Sequence, residues 1–342
     1  MKDIRPRIIV DDNIPFIKGR LEPFADIVYA DQFGFTPELV ADADAMIIRT
    51  RTRCDESLLR DSSVKFIATA TIGMDQFDLG WCASAGIETR NSPGCNAPGV
   101  AQYVWSSLLR SGFDPGSDTL GVVGCGNVGS IVADWGRKLG ARIIVSDPPK
   151  AAEGCAAEGE TPLDRLLQEA DAVTLHTPLT RSGHWPTFHL IGEREIALMK
   201  QDAILVNAAR GPVADNSAIR RAVAAGRIRA IIDTWEGEPD LDRGLLSLVE
   251  IGTFHIAGYS LEGKQRATRM VLEATGERFS FSPDLSGLEG PYVPPVSVDA
   301  QTILDSYDPF ADTAPLKASP EDFDRLRAAY AYRGEPHFKL PE

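Results

Sequence analysis

His255 and Glu238 form the first combination of residue types that suggests chemistry. The histidine lies in a mostly apolar run that ends at Gly258, and the glutamate precedes it in the chain. A carboxylate bonded to one ring nitrogen of a histidine fixes its tautomer, and the other nitrogen can then take a proton from a hydroxyl group. Because a histidine in an apolar run is more often a buried core residue, this interpretation needs support from other residues.

Arg210 adds a group that can bind an anion. It stands in the segment Asn-Ala-Ala-Arg-Gly at 207–211, directly after the apolar run 204–206. The carboxyl ends of strands in a parallel sheet form a ligand crevice, and a guanidinium there can hold a carboxylate by two parallel hydrogen bonds. Taken alone, the position fits a surface ion pair equally well.

Gly124, Gly126 and Gly129 have the spacing G-x-G-x-x-G, with Asn127 and Val128 between the last two. The motif follows a predicted strand and opens a predicted helix, which is the context expected of a dinucleotide site. The first glycine permits a tight turn, the second lets a pyrophosphate approach the backbone, and the third lets helix and strand pack closely. Without this context, a glycine-rich turn between strand and helix is an ordinary turn that binds nothing.

Asp147 ends the next predicted strand. A carboxylate there can accept hydrogen bonds from the adenosine ribose, and it repels the 2′-phosphate of NADP. The sequence therefore predicts a site for NAD. Because Arg210, Glu238 and His255 follow this NAD motif in the chain, we interpret them together as the catalytic residues of a dehydrogenase.

Short apolar runs alternate with helical stretches, which predicts parallel sheets covered on both faces. The predicted strands are 8–10, 26–29, 45–48, 66–69, 120–123, 142–146, 172–176, 204–207 and 230–233. A long helix is predicted over 97–110, with Pro98 in its first turn and Gly112 after its end. Further helices are expected to begin at a cap on Thr161 and to run from Ser319 through Tyr332.

The composition excludes several function classes. With 35 basic and 49 acidic residues, the 342-residue chain has a net charge of −14, which repels nucleic acid and anionic lipid. No apolar stretch is long enough to cross a membrane, and no signal peptide is expected, so the sequence predicts a cytoplasmic protein. The five cysteines form no C-x-x-C pair, so no metal site and no disulfide are expected.

The order and spacing of these motifs resemble the D-isomer-specific 2-hydroxyacid dehydrogenases. The matching pieces are Gly124, Gly126, Gly129, Asp147, His176-Thr177-Pro178-Leu179, Asn207, Arg210-Gly211, Asp233, Glu238-Pro239 and His255-Ile256-Ala257-Gly258. The resemblance implies NAD as the cofactor, with Thr177, Asp233 and Gly258 on its nicotinamide side. It also implies Arg210, Glu238 and His255 as the catalytic residues.

The resemblance further implies an α/β fold of two doubly wound parallel-sheet domains. A Rossmann-type nucleotide domain at 97–257 is inserted in a flavodoxin-like substrate domain, which is built from 1–96 and 258–284. Residues 285–342 form a short C-terminal extension, which corresponds to a shortened dimerisation domain. A homodimer is therefore expected.

One branch of the family fits best, the branch that oxidises 4-phospho-D-erythronate at C2 in the biosynthesis of vitamin B6. The similar segments lie at 10–15, 68–75, 93–97 and 258–264. The branch implies a phosphorylated hydroxyacid as the substrate. The residues that it implies as substrate-binding are Arg49, Thr50, Thr71 and Tyr259. Arg51 and Arg53, although they alternate with Thr50 and Thr52, are expected in a solvated loop.

Two features depart from the pattern of this branch. Phe254 stands where the family mostly has proline, and the C-terminal region is shorter than the dimerisation domain, which leaves open the form of the dimer and any contribution of a neighbouring subunit. A dehydrogenase of another D-2-hydroxyacid, such as phosphoglycerate, glycerate or a lactate-like acid, would keep the same catalytic residues. From another class, an NAD-sensing protein like the corepressors that share this fold is the alternative.

Overall fold

The computed structural model describes residues 5–341. Its strands are β1 Arg7–Asp11, β2 Asp26–Ala30, β3 Ala45–Ile48, β4 Phe66–Thr69, β5 Glu88–Arg90, β6 Thr119–Val123, β7 Arg142–Ser146, β8 Ala172–Leu175, β9 Ile204–Asn207, β10 Arg229–Ile232 and β11 Ile251–Gly252. Its helices are α1 Pro37–Val40, α2 Glu56–Leu59, α3 Leu79–Ser84, α4 Ala97–Arg110, α5 Asn127–Leu139, α6 Pro148–Ala152, α7 Leu163–Glu169, α8 Glu193–Leu198, α9 Asn216–Ala224, α10 Arg243–Leu248, α11 Leu261–Phe279, α12 Ala300–Ser306, α13 Pro309–Ala318 and α14 Phe323–Ala328.

The first of two compact units extends to Asn96 and also contains Leu261–Tyr292. Its five parallel strands lie in the order β2-β1-β3-β4-β5, which is the flavodoxin-like order of a doubly wound sheet. Every residue of β3 and β4 is buried, because helices cover both faces of the sheet. On one face α11 packs through Val271 and Leu272, and on the other face α2 and α3 pack through Leu58 and Cys82.

The second unit consists of Ala97–Ser260 and the chain from Val293 onward. Its six parallel strands lie in the order β11-β10-β9-β8-β6-β7. β7 is the last strand of this sheet. On its free side, Val145 forms a single parallel bridge with Glu160, where a further strand would otherwise pair. The order of the sheet reverses between β6 and β8, and ligands bind at the carboxyl ends of the strands beside such a switch point.

The C-terminal helices pack within the second unit. Leu316 of α13 and Phe323 of α14 are buried in the same core as Trp235 and Phe254. Near the end of the chain, the N–H of Val296 donates to the carbonyl of Lys339 at 2.8 Å. The predicted domain boundaries and the dimerisation role of 285–342 stay predictions.

Most of the predicted elements are confirmed. The strands at 45–48, 66–69, 142–146 and 204–207 and the helix at 97–110 have the predicted bounds. The predicted cap at Thr161 is wrong, because α7 has Pro162 as its N-cap. The helix predicted through Tyr332 is also shorter: a 3₁₀ turn at Pro320–Asp322 precedes α14, which ends at Ala328.

Two strands were not predicted, β5 and β11. The first has the polar sequence Glu-Thr-Arg, and the second has only two residues, so neither carries an apolar run that indicates a strand. No helix in the described chain combines the length and apolar character that crossing a membrane requires.

Candidate active site

The predicted site residues of the second unit follow the carboxyl ends of its strands. They are Gly124 after β6, Asp147 after β7, Thr177 after β8, Arg210 after β9, Asp233 and Glu238 after β10, and His255 after β11. Because all six strands are parallel, their carboxyl ends lie at one edge of the sheet. The fold thus brings residues that are far apart in sequence to the edge where doubly wound sheets bind ligands.

His255 and Glu238 form a hydrogen-bonded pair, in which Nδ1 of the imidazole lies 2.5 Å from Oε1 of the carboxylate. The side chains are only 27% and 25% exposed. Because the carboxylate accepts the Nδ1 proton, Nε2 carries the lone pair. Among residues 5–341, Nε2 has no hydrogen-bond partner. The ring is therefore arranged to take a proton from a ligand.

Glu238 is held in its charged form. Burial alone would raise the pKa of its carboxyl group, but the hydrogen bond with His255 and the positive charge of that ring in its protonated form lower the pKa overall. The backbone N–H of Trp235, which donates to Oε2 at 3.2 Å, and the charge of Arg327 act in the same direction. An anionic Glu238 stabilises the positive charge that His255 acquires when it accepts a proton.

The backbone of His255 is held by Asp233. His255 has a φ of 59°, a left-handed conformation that is unusual for a residue with a side chain. Its N–H donates to the carbonyl of Asp233 at 2.9 Å. The Asp233 carboxylate, which is buried, accepts the N–H groups of Ile256 at 2.8 Å and Ala257 at 3.0 Å. These bonds stabilise the conformation that directs the imidazole.

Arg333 holds the same segment through its carbonyl groups, and sequence analysis missed it. Its guanidinium donates to the carbonyl of Ile256 at 2.9 Å and also to that of Ala257. It further donates to the carbonyl of Gly99 at 3.1 Å and to Oε1 of Gln102 at 2.9 Å. No motif surrounds Arg333 in the sequence, so no local pattern indicates this contact.

Asn207 and Gly211 set the path of the chain around Arg210. Nδ2 of Asn207 donates to the carbonyls of Arg210 at 3.1 Å and Gly211 at 3.3 Å. A Cβ at Gly211 would lie 2.0 Å from the carbonyl oxygen of Trp235, so only glycine fits there. The guanidinium of Arg210 donates through Nη1 to the carbonyl of Ala209 at 2.9 Å. The close approach of Gly211 to Trp235 places the Arg210 loop against the segment that leads to Glu238.

The glycine motif has the shape that a pyrophosphate needs. Gly124 has a φ of 86°, and a Cβ at Gly129 would lie 2.0 Å from the carbonyl oxygen of Gly124, so both positions require glycine. A Cβ at Gly126 would meet no atom within 4 Å, which leaves its backbone open to a ligand. Asn127 and Val128 then open α5, whose first N–H groups favour an anion.

Asp147 lies beside this turn with its carboxylate fixed. Oδ2 accepts the N–H of Cys125 at 2.7 Å, and Oδ1 accepts the N–H of Lys150 at 3.2 Å. The N–H of Asp147 itself donates to the carboxylate of Glu160 at 3.1 Å. Since each carboxylate oxygen can accept two hydrogen bonds, Asp147 keeps acceptor capacity for ribose hydroxyl groups.

Thr177 has a buried hydroxyl oxygen that finds no hydrogen-bond partner within residues 5–341. Beside it, Nε2 of His176 lies 3.0 Å from the hydroxyl of Thr174, and burial lowers the pKa of His176 to about 3, so the ring is neutral. Buried hydroxyl groups normally have partners. The Thr177 hydroxyl and the open backbone at Gly126 therefore fit a bound dinucleotide.

In the first unit, Arg49 and Thr50 follow β3, and Thr71 follows β4. The Thr71 hydroxyl lies 2.7 Å from that of Thr69. Gln76, which sequence analysis missed, donates through Nε2 to the carbonyl of Arg49 at 3.2 Å and to the Thr69 hydroxyl at 3.4 Å. Gln76 thus connects the two strand ends that carry the predicted substrate residues.

The three neighbouring arginines of this unit differ in their surroundings. Arg49 is partly buried, and its Nη1 donates to the carbonyl of Asn13 at 2.9 Å. Arg51 and Arg53 are exposed, and Arg53 pairs with Asp55 at 2.6 Å. The predicted solvation of Arg51 and Arg53 is confirmed.

Tyr259 lies in the second unit, directly after Gly258. Its ring packs edge-on against Tyr330 and Tyr332, with 6.2 Å between ring centres in each pair. Phe254 is buried and packs against Tyr330 at 6.0 Å. The phenylalanine that departs from the family pattern is therefore a core residue, which the C-terminal region covers.

His189, Asp215 and Glu236 bring three possible metal-ligand atoms within 4.8 Å of one another. Each already has a partner: Nε2 of His189 lies 2.7 Å from Oε1 of Glu236, and Asp215 accepts two backbone N–H groups at the start of α9. Oε2 of Glu236 accepts the N–H of Asn216 at 3.3 Å. These bonds account for the cluster, and the predicted absence of a metal stays a prediction.

Residues 97–257 match the family model for the NAD-binding domain of D-isomer-specific 2-hydroxyacid dehydrogenases. The chain is 43% identical over 343 residues to the erythronate-4-phosphate dehydrogenase of Bacteroides fragilis (strain YCH46), and the match covers 96% of this chain and 97% of that protein. It is 39% identical to the protein of the same name from Porphyromonas gingivalis, over 96% of this chain and 93% of the relative. The chain belongs to the D-isomer-specific 2-hydroxyacid dehydrogenases.

This dehydrogenase therefore uses NAD and acts on the CH–OH group of a 2-hydroxyacid, as the motifs predicted. The D-lactate dehydrogenase of Aquifex aeolicus, complexed with NAD and lactic acid, aligns at a TM-score of 0.65 and 24% identity over 80% of this chain and 95% of that one. The NAD-bound 3-phosphoglycerate dehydrogenase of Entamoeba histolytica aligns at 0.68 and 23%, over 84% and 99%. These similarities confirm the predicted fold of two parallel-sheet α/β domains.

Proposed function

We propose that this dehydrogenase oxidises 4-phospho-D-erythronate at C2 to 2-oxo-3-hydroxy-4-phosphobutanoate, the erythronate-4-phosphate dehydrogenase reaction of pyridoxal 5′-phosphate biosynthesis. The observation that carries the chemistry is the His255–Glu238 pair at 2.5 Å, whose Nε2 has no partner among the described residues. The names of the relatives, which match along nearly the whole chain, support the substrate.

In the proposed reaction, Nε2 of His255 takes the proton of the C2 hydroxyl group as the C2 carbonyl forms. Glu238 keeps the imidazole in the required tautomer and stabilises the imidazolium. Arg210 binds the carboxylate and the C2 oxygen of the substrate, which keeps C2 in place during the transfer. When bound, NAD supplies the acceptor for the hydride that leaves C2.

The remaining substrate contacts are assigned to four residues. Arg49, Thr50 and Thr71 lie at strand ends of the first unit, and Tyr259 follows β11 of the second. Arg49 is one cation proposed for the phosphate group, because guanidinium groups form strong, charge-assisted hydrogen bonds with phosphate. The hydroxyl groups of the other three residues suit the hydroxyl and phosphate oxygens of the acid.

The cofactor contacts are assigned to the turn and to neighbouring strand ends. Gly124, Gly126, Asn127, Val128 and Gly129 surround the pyrophosphate, as the open backbone at Gly126 supports. Asp147 accepts from the adenosine ribose. The residues assigned to the nicotinamide side are Thr177, Asp233 and Gly258, of which Thr177 has the unpartnered hydroxyl group.

Replacing Asp147 by alanine is expected to narrow the preference for NAD over NADP. The wild-type carboxylate repels the 2′-phosphate, and its removal leaves the ammonium group of Lys150, which donates to the Cys125 carbonyl at 2.6 Å, as a nearby cation. The Glu160 carboxylate stays in place, so the preference is narrowed and not reversed. The measurement is kcat/KM with each cofactor at fixed substrate concentration. Asp147→Ser is the companion variant, because serine keeps an N-cap acceptor for α6.

Asp134→Asn serves as the control for the Asp147 variants. Asp134 lies on α5, pairs with Lys138 at 2.6 Å, and its loss changes the net charge by the same amount. The control should keep the wild-type cofactor preference. Equal kcat/KM values of the wild-type enzyme for NAD and NADP would contradict the assignment of Asp147.

A substrate panel tests the proposed function. It compares kcat/KM for 4-phospho-D-erythronate, D-erythronate, 3-phospho-D-glycerate, D-glycerate and D-lactate. The highest value is expected for the phosphorylated four-carbon acid. A higher value for any other acid would assign the enzyme to that substrate instead, whereas a protein that binds NAD but oxidises none would be an NAD sensor.

Two further expectations belong to this proposal, a homodimer and a cytoplasmic location. The homodimer is what the family resemblance implies, and two-fold dimers are the commonest soluble oligomers. The cytoplasmic location is the expectation from the sequence. Light scattering of the purified protein measures the mass of the particle, and a mass equal to that of one chain would contradict the dimer.

A further inference from the structure

Arg327 places a guanidinium group beside Tyr259. It lies on α14, and its Cζ is 5.5 Å from the centre of the Tyr259 ring. The helix is anchored by Phe323, which is 1% exposed, and the following Tyr330 packs edge-on against Tyr259. The position of Arg327 relative to Tyr259 is therefore fixed by packing in the core of the second unit.

Arg327 differs from the other arginines of its region in that its guanidinium forms neither a hydrogen bond nor an ion pair with the described residues. Its Nε is buried and has no hydrogen-bond partner, and its guanidinium forms no ion pair with any of residues 5–341. By contrast, Arg325 pairs with Asp322 at 2.5 Å, and Arg333 donates to several carbonyl groups. This is unusual in a chain with 49 acidic and 35 basic residues.

The charge of Arg327 lowers the pKa of Glu238, but the Glu238 carboxylate is already hydrogen-bonded to His255. A buried donor of a charged group that lacks a partner is unfavourable, and an anion that accepts from it removes much of this cost. Tyr259, beside which the cation lies, is one of the residues assigned to the substrate. A substrate anion is therefore the partner that the surroundings of Arg327 favour.

We propose that Arg327 and Tyr259 form an anion subsite that binds the phosphate group of the substrate. The inference rests on the proposed function, in which Arg210 binds the carboxylate and the phosphate is the other anion of 4-phospho-D-erythronate. Arg327 is proposed as a second cation for this phosphate, in addition to Arg49. A phosphate carries about two negative charges and three acceptor oxygens, and a guanidinium can donate two parallel hydrogen bonds to it. The C-terminal region thereby contributes to substrate specificity.

The test replaces Arg327 by methionine, which keeps an unbranched apolar stem without the charge, and by lysine, which keeps the charge. Arg327→Met is expected to raise KM for 4-phospho-D-erythronate by roughly 10- to 100-fold, with a much smaller effect on D-erythronate. Arg327→Lys should recover part of the loss. Arg325→Met, an exposed position on the same helix, is the matched control and should behave like the wild type.

Inorganic phosphate is the second probe, and it separates this inference from the proposed function. It is expected to inhibit the wild type and Arg325→Met competitively with the acid, and to inhibit Arg327→Met at least tenfold more weakly. If the wild type shows no preference for the phosphorylated acid, the proposed function fails, but a loss of phosphate inhibition in Arg327→Met still supports the subsite. Equal losses on both acids, mainly in kcat and with unchanged inhibition by phosphate, would overturn the inference and leave Arg327 as a residue that acts on Glu238.

Discussion

Replacing His255 by alanine is expected to lower kcat by about 10²- to 10⁴-fold, which is the usual contribution of a general base. Nε2 of the imidazole is arranged to accept the proton of the C2 hydroxyl group, and the methyl group of alanine cannot accept a proton. The affinity for NADH is expected to change little, because alanine keeps the backbone N–H that donates to Asp233, one of the residues assigned to the cofactor. The measurements are the rate of NADH formation and the fluorescence titration of NADH binding.

The control for this variant is His184→Ala, which removes an exposed histidine from the loop after β8. It should keep the wild-type kcat. A His255→Ala enzyme with more than about a tenth of the wild-type rate would remove His255 from the role of general base, since the expected loss is at least about 10²-fold.

Arg210→Ala and Arg49→Ala are expected to affect different properties of the enzyme. Arg210 is assigned to the carboxylate and the C2 oxygen, which every 2-hydroxyacid has, so its loss should lower kcat by about 10²-fold on phosphorylated and unphosphorylated acids alike. Arg49 is assigned to the phosphate, so its loss should raise KM for 4-phospho-D-erythronate much more than for D-erythronate. The measurement is a two-by-two comparison of the two variants on the two acids.

Arg53→Ala is the matched control for Arg49→Ala. Arg53 lies on the same loop, is exposed and pairs with Asp55, so its loss should leave both kinetic constants near the wild-type values. If Arg49→Ala weakens both acids equally, the assignment of Arg49 to the phosphate fails. If Arg210→Ala raises KM alone and keeps kcat, Arg210 contributes binding that is equal in ground state and transition state.

The catalytic edge of the second unit was predictable because its strands are buried and parallel. Apolar runs such as 204–206 mark where each strand ends, and parallel strands bring their carboxyl ends to one edge. Arg210 and Glu238 follow two neighbouring predicted strands, so chain order indicates that they lie close together. The short strand before His255 was not predicted, so the place of His255 was indicated only by its motif. The hydrogen bond between Glu238 and His255 agrees with this reasoning.

The contributions of Gln76, Arg327 and Arg333 were not predictable from the sequence. Each makes contacts with residues that are distant along the chain, which no local sequence pattern indicates. The end of α14 was missed for a related reason. Its helical pattern continues to Tyr332, but Tyr330 packs against Phe254 and Arg333 donates to the carbonyl of Ile256, and these tertiary contacts accompany an earlier end to the helix.

The most direct measurement uses 4-phospho-D-erythronate with deuterium at C2 in a single turnover of the enzyme with NAD. We expect the deuterium to be found in the nicotinamide ring of NADH and the 2-oxo acid to form in equal amount. Arg210→Ala and His255→Ala should slow this step. Deuterium that stays in the acid, or that is released to water without NADH formation, would contradict the oxidation of this acid at C2.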